Sequence, residues 1–359
     1  MSIRFRSTAT EPAERGLEFG RVHAQKIQAT VDNYRALFER VASRPFDLLA
    51  LGSQALARIE AFAPPLYQEI LAMAEGAGIE PSYLGAINAR TEILAYLGAQ
   101  LRGECSTVVR LEPFSGRPVA VQTWDWYAEF AGQWLTWEIP HADGSLTTTV
   151  TEFGIVGKAG VNSRGLGVHF NILHHQRDGQ GIGVPVHVAS RWMLDSCKDI
   201  NQALQLLGSA AVSASSSLTL VAAVDDSSTA VSVELHPGGP GLVFPDAEGL
   251  LVHTNHFLSS PARASDTEPA AYPDTLVRHD LLVRRLANRQ GLTPQKILAA
   301  MNSHLGSTSA VCCHPDPGLP EAGQYATLAS IVIDVAGGTL TALPGGPCGH
   351  PQWLDNDFT

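Results

Sequence analysis

Three short stretches of the chain carry side chains that could do chemistry. The first is Gly103-Glu104-Cys105-Ser106-Thr107, where a thiol stands between a segment of helical character, Asn88-Ala89-Arg90-Thr91-Glu92-Ile93, and a β-prone run. A cysteine in that place is a candidate N-terminal nucleophile, uncovered if the chain cuts itself between Glu104 and Cys105. Its new α-amine, with a reference pKa of about 7.7–8.0, could serve as base for its own thiol, so no histidine is required. By position alone the plainer reading, a small buried hydrophobe, stands equally well.

The second stretch is Gln122-Thr123-Trp124-Asp125-Trp126, which sets a carboxylate between two tryptophans. An aspartate there could simply satisfy backbone N–H groups in a turn. The third is Val252-His253-Thr254-Asn255-His256. The Asn255 amide could donate to a developing oxyanion, or it could cap the end of the preceding strand. His253 with His256, and Cys312-Cys313-His314, offer zinc-ligand types, but no pair has strong metal spacing and adjacent cysteines seldom share one tetrahedral ion. Packed, hydrogen-bonded side chains are the simpler reading, so no metal and no cofactor are expected. The glycines at 154, 157, 160 and 165 match no phosphate-binding pattern, and no G-x-S-x-G elbow is present.

Composition narrows the partners. The 359 residues carry a formal net charge of −11 with no basic cluster, which argues against nucleic acid and anionic membranes. Residues 1–12 lack an apolar secretory core, and the most apolar run, Leu218 to Val224, is too short to span a bilayer. Five cysteines without paired spacing suggest free thiols and a cytoplasmic location.

The elements that must position these residues fall in blocks. Residues 12–42 read as one amphipathic helix with Phe19, Val22, Ile27, Val31, Tyr34 and Phe38 on its stripe; helices over 46–62, 65–76 and 81–98 follow. From Cys105 the texture turns to short strands: 106–111, 118–123, 135–139, 145–151, and two within 154–171 around Asn162-Ser163-Arg164-Gly165. Helices return over 185–208, 273–290 and 293–304. Hairpins are expected across Asp225-Asp226-Ser227-Ser228 and Gly337-Gly338. Blocks of helix and of antiparallel strand predict a layered α+β fold. The connections 177–181 and 259–272 are expected to be the mobile ones.

Together these residues resemble a known family. Asn88-Ala89-Arg90-Thr91-Glu92, Cys105-Ser106-Thr107, Trp124-Asp125 and the block Glu152-Phe153-Gly154-Ile155-Val156-Gly157-Lys158-Ala159-Gly160-Val161-Asn162-Ser163 with Gly165 are similar to the acyl-CoA:6-aminopenicillanic acid acyltransferase family, the C45 peptidases. Arg15-Gly16 and Gly20 resemble its opening helix. The likeness continues through Asn171, Pro185, Arg191, Thr254-Asn255-His256, Cys312, His314-Pro315-Asp316 and Gly346-Pro347-Cys348.

The resemblance implies an Ntn-hydrolase fold, a four-layer αββα sandwich with two antiparallel sheets between helical layers. It implies self-cleavage into a helical α chain, residues 1–104, and a β chain, residues 105–359, that begins with the nucleophile. In that scheme Cys105, Asp125 and Asn255 are catalytic: Asp125 orients the freed amine and Asn255 serves the oxyanion. Glu104 and Cys105 form the cleavage site. Ser309, His256, Arg90 and Glu92 are supporting candidates, and Arg90, Glu92, Lys158 and Arg191 are expected to neutralise one another. The partners implied are a small-molecule amide substrate and the two chains of one precursor, with an acyl-coenzyme A donor as the alternative and a homo-oligomer left open. An unprocessed binding protein on the same scaffold is the reading from another class. Two positions depart from the family: Glu104 stands where glycine usually precedes the nucleophile, and Cys313 where arginine usually precedes His-Pro-Asp.

Overall fold

The computed structural model describes residues 3–99, 105–113, 117–288 and 290–354. Strand β1 (Ile3–Arg6) leads into helices α1 (Pro12–Val41), α2 (Leu48–Phe62), α3 (Pro64–Ala77), α4 (Pro81–Asn88) and α5 (Arg90–Tyr96). Then come β2 (Ser106–Arg110), β3 (Val119–Tyr127), β4 (Trp134–Pro140), β5 (Leu146–Glu152), β6 (Ala159–Asn162) and β7 (Leu166–Ile172). Helices α6 (Val186–Ser196) and α7 (Ile200–Gly208) precede β8 (Ser216–Val224), β9 (Ser227–Leu235), β10 (Gly241–Val243) and β11 (Leu250–His253). Helices α8 (Glu268–Ala271), α9 (Asp274–Leu286) and α10 (Pro294–Met301) and strands β12 (Tyr325–Asp334) and β13 (Thr339–Pro344) complete the order.

The strands form two sheets, β1-β4-β5-β6-β7-β8-β9-β10 and β11-β2-β3-β12-β13. Their inner faces meet where β2 packs on β7 and where β12 and β13 pack on β6. Helices α6 and α7 lie on the larger sheet, and α9 and α10 on the smaller one. This is the αββα sandwich that the family resemblance implies. One pairing differs from expectation: β1 runs parallel to β4, because the chain crosses the helical block before returning to the sheet edge.

Helix α1 begins with Pro12 at its first position, where a missing N–H costs nothing. Its buried stripe holds Phe19, Ile27, Val31, Tyr34 and Phe38, but Val22 is 59% exposed. At ~100° per residue Val22 lies well off that stripe, and His23, where the helix is locally non-helical, takes the buried place instead. Helix α1 packs closely on α3: a Cβ on Gly16 would lie 2.1 Å from the Glu69 carbonyl oxygen. The helix expected over 81–98 divides at Ala89. There the Asn88 side chain turns into the β5–β6 loop, donating to Gly154 O at 2.8 Å and accepting from Val156 N at 2.9 Å.

Strand β3 runs on past Thr123 to Tyr127, so Asp125 lies inside a strand rather than in a turn. Its partner strand β12 bulges between Thr327 and Ala329, opposite Asp125 and Trp124. A bulge tightens the local twist and re-aims the side chains beside it. The second of the two connections expected to be mobile is tied to the residues just before the first: His175 bridges to Asp266, Gln176 N donates to Ser265 O at 3.0 Å, and Thr267 N to His174 O at 3.1 Å.

Candidate active site

Cys105 precedes β2, in the middle of the smaller sheet. The β2–β3 register pairs Ser106 with Thr123, and the β11–β2 register pairs His253 with Thr107. Continuing each by a step or two brings Trp124 to one side of Cys105 and Asn255 to the other. Three stretches far apart in the chain thus meet at one sheet end. The cysteine is buried, and its sulfur lies 3.7 Å from the Asp125 carbonyl oxygen.

The Cys105 backbone carbonyl is held from two directions. Asn171 Nδ2, on β7 of the other sheet, donates to it at 3.0 Å, and Arg278 Nη1, on α9, at 3.2 Å. Arg278 Nη2 also donates to Asn255 Oδ1 at 3.2 Å, and Asn255 Nδ2 donates to Ile172 O at 2.9 Å. Behind this row a polar seam joins the sheets: Thr107 donates to Asn171 Oδ1 at 2.7 Å, and Gln122 donates to Thr107 at 3.1 Å and to Phe170 O at 2.5 Å. Such groups are tolerated between sheets because each has a partner.

A second buried cluster faces the thiol. Lys158 Nζ sits 2.9 Å from Glu152 Oε2 and 4.1 Å from the Trp124 ring centroid. Arg90 Nε reaches the same oxygen at 3.5 Å, over the Trp126 ring, while Tyr34 donates to Glu152 Oε1 at 2.5 Å. Burial and the Arg90 charge push the Lys158 amine down to about 8, against the opposing pull of Glu152. Burial and the Asp125 carboxylate push the Cys105 thiol up to about 12, while Lys158 and Arg278 draw it down. In this continuous chain the thiol is therefore protonated at neutral pH.

The sequence-derived candidates divide. Cys105, Asp125 and Asn255 converge. Arg90 stands in the cluster behind them through Glu152, and His256 is packed against Thr254 and Thr275, its Nδ1 3.1 Å from each hydroxyl. Burial pushes His256 down to about 3, so it is neutral. Glu92 instead caps α6, accepting from Val186 N at 2.9 Å, and burial raises its pKa to about 7. Ser309 ends the short turn Ser307–Ser309, and among the described residues no hydrogen bond joins its side chain to Cys105. Glu104 lies outside the described residues.

The expected mutual neutralisation is corrected. Arg90 and Lys158 share Glu152, and Arg191 is paired with Glu69 at 3.1 Å and Asp195 at 2.8 Å. Three family-like cations, Arg90, Lys158 and Arg191, are therefore satisfied by Glu152, Glu69 and Asp195 rather than by Glu92. His253 and His256 do not pair as ligands either: His253 Nε2 lies 2.9 Å from Glu234. Arg278 went unrecognised altogether. Its only sequence signal is a cation on the buried face of α9, in register with Thr275, Leu281 and Leu282.

A narrow, mostly apolar cleft is lined by Leu94, Ala95, Trp126, Leu173 and Ile172, the residue whose carbonyl accepts from Asn255, with His174 and Asp178 at its polar side. Tyr127 belongs to a separate cleft with Tyr325 and Thr308, and Phe130 is core, its ring tilted against that of Tyr34.

Residues 114–343, more than half of the chain, match the family described as Acyl-coenzyme A:6-aminopenicillanic acid acyl-transferase. The chain is 28% identical over 285 residues to the acyl-coenzyme A:6-aminopenicillanic-acid-acyltransferase 40 kDa form of Emericella nidulans, covering 79% of this chain and 76% of that one. Among solved structures it is similar to an N-acylethanolamine-hydrolyzing acid amidase ortholog of Caenorhabditis elegans, with a TM-score of 0.46 and 11% identity over 67% of this chain and 100% of that one. Penicillin V acylase from Agrobacterium tumefaciens gives a TM-score of 0.44 and 15% identity over 67% of this chain and 83% of that one. The family match, with the buried thiol, carboxylate and amide gathered at one sheet end, leads to one conclusion: the chain belongs to the acyl-coenzyme A:6-aminopenicillanic acid acyl-transferase family, enzymes that act on amide bonds.

Proposed function

We propose that the chain is a self-processing N-terminal-cysteine amidohydrolase whose substrate is the amide of a small N-acyl compound. The observation that carries this reading is the placement of Cys105. It stands at the head of β2 with its sulfur against Asp125 and its carbonyl fixed by Asn171 and Arg278. A backbone carbonyl held from two separate elements, with the thiol set among Asp125, Lys158 and Arg278, supports a reactive role for Cys105.

In the precursor the Cys105 sulfur attacks the Glu104 carbonyl carbon. The Glu104–Cys105 C–N bond breaks as the C–S bond forms, and the nitrogen takes up the thiol proton. Water then splits the thioester, leaving a Glu104 carboxylate, a free thiol and a free α-amine. An α-ammonium beside the sulfur adds a positive charge where a neutral amide stood, which favours thiolate. Asp125 supports that ammonium. With substrate, the α-amine takes the thiol proton, sulfur attacks the amide carbonyl, and the ammonium returns the proton to the departing amine. An amide nitrogen carries two hydrogens, and Asn255 uses one on Ile172 O; the other is suited to the oxyanion. Water resolves the S-acyl enzyme.

Transfer to an amine, with an acyl-coenzyme A donor, is the second reading, favoured by the name of the Emericella nidulans relative. The first test is denaturing intact mass of wild type and Cys105→Ala. Two wild-type fragments meeting at Glu104–Cys105, with the alanine variant whole at 38.2 kDa, are expected. A single full-length wild-type species sinks the N-terminal-amine mechanism and leaves a binding protein. Incubating N-acyl amides with water alone and with competing amines then separates hydrolysis from transfer.

A further inference from the structure

Four potential metal ligands meet at a place that chain spacing conceals. His304 follows α10, Cys312 and His314 lie in the segment leading to β12, and Cys348 sits in the turn after β13. One ligand atom from each falls within 4.8 Å of all the others. His304 Nε2 is 3.1 Å from His314 Nε2, and His314 Nε2 is 3.8 Å from Cys312 Sγ and 3.3 Å from Cys348 Sγ.

Those separations can be compared with the edges of a coordination tetrahedron. Zinc bonds of about 2.3 Å to sulfur and about 2.0–2.1 Å to nitrogen give edges of about 3.3 Å between nitrogens and about 3.6 Å between nitrogen and sulfur. The three distances lie within a few tenths of an ångström of these. The adjacent cysteine does not compete: the Cys313 thiol turns away to donate to Thr308 O at 3.2 Å. The backbone also makes room, since a Cβ on Gly346 would stand 2.5 Å from Cys312 Sγ. Only a glycine lets the Gly346-Pro347-Cys348 turn close over that sulfur.

We propose that His304, Cys312, His314 and Cys348 form a structural zinc site of the Cys2His2 type. Two thiol protons leave to solvent as two S–Zn bonds form, and two neutral imidazoles complete the shell. The charges of Zn²⁺ and two thiolates cancel, which suits a half-buried position. A tetrahedral set of two sulfurs and two nitrogens selects zinc among common divalent ions. The four protein ligands fill the shell and leave no open position for water, so the role is structural rather than catalytic.

The site would staple the C-terminal turn to the segment that abuts Asp125. Thr327, opposite Asp125 in the β3–β12 register, donates N–H to Cys313 O at 3.0 Å and accepts Cys313 N–H on Oγ1 at 2.9 Å. Zinc one residue away would hold that wall of the active site in place. This inference does not depend on self-cleavage at Cys105.

The test is metal content and cobalt spectroscopy on the full chain, purified under reducing conditions. One zinc per chain that survives dialysis against metal-free buffer is expected, and Co²⁺ reconstitution should give tetrahedral ligand-field bands with thiolate-to-cobalt charge transfer. Cys348→Ser and His304→Ala should each lose the zinc. Both positions are solvent-accessible, and circular dichroism checks that the variants fold. A strong chelator should lower the melting temperature of the wild type and leave that of Cys348→Ser unmoved. Metal-free protein that gives no cobalt–thiolate band, a Cys312–Cys348 disulfide in the peptide map, or an unaltered cobalt spectrum in Cys348→Ser would each overturn the site.

Discussion

Arg278 and Cys105 lie 173 residues apart, yet the Arg278 guanidinium donates to the Cys105 carbonyl at 3.2 Å. The same fork reaches Ser106 Oγ at 3.1 Å and Asn255 Oδ1 at 3.2 Å. One planar cation thus fixes the Cys105 backbone and the amide proposed for the oxyanion.

Replacing Arg278 should cost activity through alignment. Arg278→Ala frees Asn255 to rotate, and losing one oxyanion donor typically lowers kcat by about 10²–10³. Arg278→Lys keeps the charge but not the fork, so an intermediate kcat is expected with KM little changed. Steady-state kinetics on any amide the substrate panel identifies checks this. Equal damage from both variants to KM alone would contradict the positioning role.

Self-cleavage should accelerate with pH. The Cys105 thiol of the uncleaved chain is pushed up to about 12, so across neutral pH its thiolate fraction rises about tenfold per unit. Precursor refolded from denaturant should cleave on the order of 10²-fold faster at pH 8 than at pH 6, followed by time-resolved intact mass. A flat profile would mean that a neighbouring base moves the proton within the attack itself.

Glu92→Gln should stabilise the protein at alkaline pH. The folded pKa of Glu92 is about 7 against a reference of 4.5, so the native state holds its proton through that window while the unfolded state has lost it. Stability from this group is fully present below 4.5 and is lost as pH rises through about 7. Glutamine mimics the neutral acid and keeps an acceptor for Val186 N–H. The variant should match wild type near pH 4 and exceed it at pH 8 by about 3 kcal/mol at most. Urea denaturation at the two pH values reads it directly; a variant destabilised at pH 8 would show that the native state prefers the carboxylate.

Gly16→Ala should destabilise the helical layer, because the new methyl would meet the Glu69 backbone and not a yielding side chain. Overpacking of this kind costs about 1–3 kcal/mol, occasionally more. Thermal unfolding against wild type measures it. An unchanged melting temperature would mean that α1 and α3 can part without loss.

Much of the architecture was legible in local pattern. The long first helix, the break before Pro64, the hairpin turning at Asp225 and Asp226 and the run of short strands after Cys105 all follow from periodicity and turn residues. Local motifs also carry the order Cys105, Asp125, Asn255, which the fold gathers at one end of the smaller sheet. Strand β1 escaped because four residues alternating between half-buried and exposed give too short a signal. Val22 was placed on the wrong side of its helix because an apolar residue three places from Phe19 looks periodic until the whole stripe is summed.

What the sequence determined by itself is therefore the residues of the family pattern and the layers that carry them. Tertiary structure decided their partners. Lys158 and Arg90 find Glu152, Arg191 finds Glu69, Arg278 finds Asn255, and His304 finds Cys348 across separate elements. The reason is physical. Secondary structure follows from interactions a few residues long, which a pattern records. A buried charge or a metal ligand is satisfied by whichever group the packing of sheets and helices brings within a few ångströms, and nothing in chain spacing encodes that distance.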